Sequence, residues 1–273
     1  KGLSDKQINK LKSIGLLLIE DNCLSIGTKI NNKELNKTGH FSVESLESSK
    51  SLTIGRGGIV RCNAKDFISD FKIFYNSLSR ESIISDCFKI FQLWVNVFFA
   101  KYKIKNGYIL WYFFYGMRIF KTSRSENKKL DSNYLKIGRI SNLLYNDLSY
   151  YKKNIYLDAN NVFNKVKKIL EKNNANLPIN YKKEDFIITP RIPIIVPRKN
   201  IEKIFHSAIE NNIEISRWFQ ESPPLLNISK NINKSSSVNN YIKSSIINIP
   251  TYCTNQNDID LIYEFVNDIK HLI

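Results

Sequence analysis

Four consecutive apolar residues, Leu16-Leu17-Leu18-Ile19, run directly into two acids, Glu20 and Asp21. No other stretch constrains the fold as much. A strand with one wet face alternates apolar and polar residues, whereas an unbroken apolar run suits a strand covered on both faces, as in a parallel sheet flanked by helices. Upstream, residues 5–13 predict a short helix with Ile8 and Leu11 at a three-residue spacing, closed by Gly15. Helix, glycine and strand in this order form the second half of a βαβ unit, whose first strand would precede residue 1. In open α/β sheets, ligands bind at the carboxyl ends of strands. Glu20 and Asp21 are therefore candidate site acids; the other reading makes them loop acids that cap the next element.

Downstream, Asn31-Asn32-Lys33 is a turn signal. Phe41-Ser42-Val43-Glu44-Ser45 alternates like a strand, and Ile59-Val60-Arg61-Cys62 reads as another. Between them Gly55-Arg56-Gly57-Gly58 marks a sharp turn or a close backbone approach. Helices are expected over residues 64–75, 83–99, 140–170, 201–211 and 258–269. Residues 187–196 read as a strand interrupted by Pro190 and Pro193, hence an edge, and 246–249 as a short strand. Residues 123–132 and 227–240 are polar connections. From about residue 185 onward the pattern is that of a smaller α+β unit.

The 273 residues are 42% apolar and 12% aromatic, which is the composition of a folding chain. The net charge of +16 comes from Lys and Arg spread along the sequence without a dense basic run. A generally basic surface that also suits an anionic small substrate accounts for it, and no nucleic-acid partner is expected. The four cysteines, Cys23, Cys62, Cys87 and Cys253, form no CxxC pair, and with three histidines there is no zinc pattern, so no metal is expected. Isolated thiols fit a reducing, cytoplasmic location. The polar start, residues 1–12, lacks the apolar stretch of a signal peptide. The two apolar stretches of residues 88–120 are split by Lys101, Lys103 and Lys105, and neither reaches the ~20 residues of a spanning helix.

Two segments bring a family into view. Residues 15–63, GLLLIEDNCLSIGTKINNKELNKTGHFSVESLESSKSLTIGRGGIVRCN, resemble the central block of the DegT/DnrJ/StrS family of pyridoxal-phosphate (PLP) dependent sugar aminotransferases. That block has a strand ending in Glu-Asp, a glycine turn, a Phe-Ser strand, a lysine, and a Gly-x-Gly-Gly turn into a strand. Residues 245–269, SIINIPTYCTNQNDIDLIYEFVNDI, resemble its closing block, and 138–151, GRISNLLYNDLSYY, the helix linking its two domains. The resemblance implies an α/β fold: a partial PLP-binding large domain, mostly parallel sheet with helices, over 1–140, and a linking helix with a smaller C-terminal α+β domain over 141–273. It also implies that family members carry a further N-terminal portion.

By resemblance, Lys50 matches the lysine that forms the Schiff base with PLP, Asp21 the acid that pairs with the pyridine nitrogen, and Ser45 a hydroxyl that bonds the cofactor phosphate. Cys23 falls where a small residue lies under the ring. The sequence departs from the family at Leu24, in place of a polar residue that bonds the ring oxygen, at His40, in place of an Asp, at Arg56, in place of a frequent Glu, and at Ile137, in place of an Asn that reaches a neighbouring subunit. The implied activity is transfer of an amino group, from a donor such as glutamate, to a nucleotide-linked keto sugar for polysaccharide or glycan synthesis, by a homodimer. The other expectation is a catalytically inactive relative that keeps the scaffold as a structural or interaction protein.

Overall fold

The computed structural model describes residues 5–47, 50–54, 57–88, 90–91, 95, 139–182, 184–217, 241, 244–251 and 256–273. Several expectations therefore lie outside the described residues: Gly55 and Arg56, most of the apolar region 88–120, the connections 123–132 and 227–240, Ile137 and Cys253. Among the described residues no helix is long and apolar enough to cross a membrane, and no cluster of three or more His, Cys, Asp or Glu residues is placed to hold a metal ion.

Helix α1 (Asp5–Ser13) is closed by Gly15 in the left-handed region, and strand β1 (Ile19–Asp21) follows. The tight hairpin of β2 (Lys29–Ile30) and β3 (Lys33–Glu34) turns through Asn31 and Asn32, both at positive φ. Asparagine tolerates this region better than other side chains. Strand β4 (Phe41–Ser45) pairs in parallel with β1, and β5 (Gly58–Cys62) pairs antiparallel with β4. The result is a three-stranded mixed sheet of order β1-β4-β5, which carries the expected parallel pairing and one antiparallel edge. Helix α2 (Ile68–Ser77) succeeds β5.

The expectation for the first strand needs correction. The strand spans Ile19–Asp21 rather than 16–19, so Glu20 and Asp21 are in it and not after it. Nor is the apolar run covered: Leu16 and Leu17 are about half exposed and Ile19 is 67% exposed. β1 is hydrogen-bonded to β4 on one side, and among the described residues nothing pairs with its other edge. The run is apolar enough for a buried strand, but burial also requires partners on both faces.

Helix α3 (Arg139–Lys172) is the spine of the molecule. Its first part packs with Ile26, Leu46, Leu52 and Ile54 through Leu144, Tyr145, Ile155 and Tyr156. Its last part presents Phe163, Val166 and Leu170, spaced three and four apart on one helical face, to a second and larger core. There the two-stranded antiparallel sheet of β6 (Arg191–Ile195) and β7 (Ile246–Pro250) meets α4 (Ile201–Glu210) and α5 (Gln256–Ile269). Ile192, Ile194, Ile247 and Ile249 on the sheet and Ile204, Ile262, Phe265 and Val266 on the helices are fully buried. The edge expectation for the proline-bearing strand agrees with this two-stranded sheet.

The N-terminal half is tied to this C-terminal core at β2. Lys29 and Phe186 exchange backbone hydrogen bonds at 2.8 and 3.0 Å. The Thr28 hydroxyl donates to the Ile188 carbonyl and accepts from the Ile188 N–H, both at 2.9 Å.

Candidate functional site

Register decides which side chains share a face. Asp21 lies opposite Val43 and Glu20 opposite Ser42. Because side chains alternate along a strand, Asp21, Val43 and Ser45 fall on one face of the sheet, and Glu20, Ser42 and Glu44 on the other. The first face is open: Val60 of β5, opposite Val43, is 51% exposed.

At the carboxyl end of β1 the backbone folds back on itself. The Cys23 N–H donates to Asp21 Oδ1 at 3.1 Å, which holds the carboxylate in a defined orientation at the strand end. The Cys23 thiol is pushed up to about 11, first by burial, then by hydrogen bonding to the Asp21 carboxylate and by its charge. Lys50 opposes this shift and Glu44 adds to it, so both charges act on the thiol. Lys50 sits in the loop after β4, where its N–H donates to the Glu47 carbonyl at 3.0 Å. Ser45, the last residue of β4, accepts a bond from the Glu47 N–H at 3.4 Å. Asp21, Cys23 and Lys50 thus share one electrostatic neighbourhood, and Ser45 shares the sheet face of Asp21.

The thiol shift has a direct consequence. The thiolate is the reactive form, and a raised pKa keeps Cys23 protonated until the pH approaches 11. Alkylation by iodoacetamide at pH 8, followed by peptide mapping, is expected to modify the exposed Cys87 roughly tenfold or more faster than Cys23. The Cys23 rate should climb only toward pH 11. Equal rates at pH 8 would contradict the described environment.

The two acids of β1 separate into different roles. Glu20 Oε2 accepts the Thr38 N–H at 2.8 Å and the Gly39 N–H at 2.7 Å, so this carboxylate secures a loop. Asp21 lies on the opposite face of the sheet. His40 is also accounted for structurally: its Nδ1 accepts the Leu18 N–H at 2.9 Å, and its ring meets Phe67 edge-on. Leu24 is half-buried. In the glycine turn Gly57 has φ of 81°, and its carbonyl accepts the Leu46 N–H at 3.0 Å, which closes the loop that contains Lys50.

Residues 6–84 match the model of the DegT/DnrJ/EryC1/StrS aminotransferase family. This segment is similar to that family. The match contains Asp21, Cys23, Ser45 and Lys50, and the fold is similar to that of solved aminotransferases. A DegT/DnrJ/EryC1/StrS aminotransferase from Brucella abortus superposes on 98% of the chain with a TM-score of 0.65 and 15% identity, and the match covers 61% of that structure. Helicobacter pylori PseC, an aminotransferase of pseudoaminic acid biosynthesis, superposes on 99% with a TM-score of 0.65 and 13% identity, covering 64% of that structure. A protein described as a sugar aminotransferase from Streptococcus pneumoniae, in its PLP form, superposes on 96% with a TM-score of 0.60 and 14% identity, covering 60% of its length. The chain thus spans less than two thirds of each of these structures. No curated protein matches the sequence.

Sequence reasoning missed the opposite face of the sheet. An alternating strand usually buries its apolar side, yet β4 buries Ser42 and Glu44 and leaves Phe41 and Val43 half-buried. The Glu44 side chain is 1% exposed and pairs with Arg61 of β5 at 3.0 Å. The available signal was a carboxylate within one strand and a basic residue within the next, 17 positions on, which local alternation does not interpret.

Proposed function

We propose that the protein acts as a PLP-dependent aminotransferase on a nucleotide-linked keto sugar, with Lys50 as the cofactor lysine. The observation that carries this reading is that Asp21, Cys23, Ser45 and Lys50 all fall inside the segment that matches the family model, with Asp21 held by the Cys23 N–H at the end of β1 and Ser45 on the same sheet face. These residues suit PLP chemically. A carboxylate oriented by a backbone N–H matches a pyridinium nitrogen, a small half-buried thiol leaves room for a flat ring, and a hydroxyl at the strand end matches a phosphate.

When bound, PLP supplies an electrophilic carbonyl carbon and a ring that accepts electrons. The chain supplies the remaining groups. Lys50 Nζ would hold the group and, when free, would take and return a proton as a general base and acid. The carboxylate of Asp21, held by the Cys23 N–H, would favour a proton on the ring nitrogen. Ser45 Oγ would donate to the phosphate, and Cys23, protonated, adds no competing negative charge beside Asp21.

The further parts of the proposal rest on family likeness: glutamate as donor, a product destined for polysaccharide or glycan synthesis, a homodimer, a cytoplasmic setting, and a division into a PLP-binding part (1–140) and a C-terminal part (141–273). The test is direct. The protein is incubated with PLP, reduced with borohydride, digested and mapped by mass spectrometry. The adduct is expected on Lys50; an adduct dominated by another lysine overturns the assignment. No adduct at saturating PLP favours the second reading, a scaffold relative without catalysis, to which Leu24 in place of a polar residue points.

A further inference from the structure

The loop that carries Cys23 is fastened at its far end to the other core. β1 ends at Asp21, and residues 22–28 lead to β2 through a run of turns. Asn22 is buried, and its N–H donates to the Val43 carbonyl at 2.8 Å. The Ser25 N–H donates to the Asn22 carbonyl at 3.1 Å and the Ser25 hydroxyl to Asn22 Oδ1 at 3.3 Å. The Thr28 N–H donates in turn to the Ser25 carbonyl at 3.0 Å. With the Cys23 N–H on Asp21 Oδ1, these bonds form one connected run from Asp21 to Thr28.

At Thr28 this run meets the C-terminal core. Lys29 and Phe186 exchange backbone bonds, and the Asn31 N–H donates to Asp185 Oδ1 at 3.2 Å. An antiparallel ladder begun by a bonded pair at 29 and 186 would next bond residues 27 and 188. Gly27 instead turns away at φ of 80°, and the Thr28 hydroxyl serves both backbone groups of Ile188. A hydroxyl can do so because it is donor and acceptor at once. Thr28 is 4% exposed and Ile188 is fully buried, so removing the hydroxyl leaves a carbonyl and an N–H unpaired away from water. The neighbouring Ile187 N–H donates to Asn160 Oδ1 of α3 at 2.9 Å, which fixes the receiving segment to the long helix. Lys29 is exposed and stands one residue further from the site, so Thr28 is the first fastening that the chain meets after the loop.

We propose that Thr28 is a positioning residue for this loop: its hydroxyl ties the loop to the C-terminal core, and the turns of the loop carry that constraint to Cys23 and Asp21. The part of this that concerns Asp21 as the acid beside the cofactor rests on the reading above. Thr28 touches no reacting group in this scheme. It holds the far end of the loop, so that Cys23 stays half-buried with its N–H on the Asp21 carboxylate.

Two readouts that need no cofactor test this. Thr28→Val keeps the shape and removes the hydroxyl, whereas Thr28→Ser keeps the hydroxyl. Asn200→Ala is the control, because it removes a 2.7 Å side-chain bond to the Leu272 carbonyl elsewhere in the same core. In amide hydrogen exchange, Asn22 and Ser25 are expected to exchange at least about tenfold faster in Thr28→Val, after correction for any change at Ile247 and Ile249. In iodoacetamide alkylation at pH 8, Cys23 is expected to react at least about tenfold faster, because release of the loop removes the burial and the Asp21 contact that push its thiol up. Thr28→Ser should bring both rates back to within about threefold of the parent, and Asn200→Ala should move neither. A folded Thr28→Val in which either the loop amides or the thiol stays within about twofold of the parent overturns the proposal, as does an equal effect in Asn200→Ala. Should Thr28→Val not fold, exchange of the parent protein in low denaturant decides. The Asn22, Ser25 and Ile188 amides are expected to open as one unit, and loop amides that open independently of Ile188 overturn the proposal. The tether thus stands or falls without PLP, whereas failure of the parent to trap PLP at Lys50 overturns the cofactor reading alone.

Discussion

Lys50→Ala is expected to remove the borohydride-fixed PLP adduct from the peptide carrying residue 50, and to cut any transamination the protein supports by at least about 10²-fold, the low end for a positioned acid–base group. The argument is chemical. The covalent link needs a primary amine that spends part of its time unprotonated, and the same nitrogen then carries a proton between substrate atoms. Lys50→Arg separates charge from nucleophilicity. A guanidinium keeps the positive charge near Cys23 and Asp21 but does not deprotonate in proteins. It should therefore match Lys50→Ala in adduct formation while preserving the electrostatic environment of the Cys23 thiol. Adduct yield at parental level in either variant would show that the covalent role belongs elsewhere.

Gly27→Ala is expected to destabilise the protein by about 2–5 kcal/mol, combining a backbone cost of about 1–2 kcal/mol with about 1–3 kcal/mol for overpacking. Gly27 sits at φ of +80°, and a Cβ there would lie 2.5, 2.6 and 2.8 Å from three ring atoms of Tyr156. The ring belongs to α3 and is partly buried, with its hydroxyl enclosed, so making room for the Cβ disturbs its packing on Ile26, Leu46, Leu52 and Ile54. Gly15→Ala is the natural control: its φ is nearly the same, +79°, and a Cβ there meets nothing within 4 Å. Denaturant unfolding of the two variants should show Gly15→Ala close to the backbone cost alone. Tyr156→Ala in the Gly27→Ala background should recover part of the difference, because it removes the clash and leaves the strain. Equal losses at Gly15 and Gly27 would mean that Tyr156 does not press on the turn.

Both predictions concern contacts at different sequence range, and the difference governs what the sequence reveals. Lys50, Ser45 and Asp21 lie within thirty residues of one another, and their spacing within a recognisable block was enough to nominate them. Helices α1, α4 and α5 were legible because apolar residues recur with the period of a helix, and the Asn31–Asn32 turn because asparagine accepts positive φ. The same local logic misjudged β1. Leu16 to Ile19 is apolar enough for a covered strand, but coverage depends on elements packed against it, and the paired residues begin at Ile19. Local alternation also misread β4, whose buried side is the polar one.

The sequence alone therefore determined the chemistry-bearing residue types, their order along the chain and most of the elements that carry them, because propensity, turn chemistry and motif spacing are local properties. Tertiary structure alone decided which face each residue occupies. It turned Glu20 to a loop and Asp21 to the opposite sheet face, buried Glu44 against Arg61, and set Tyr156 on Gly27 across 129 residues of chain. Those outcomes follow from strand register and from the seating of one long helix on two cores. Each pairs residues whose proximity no local pattern encodes.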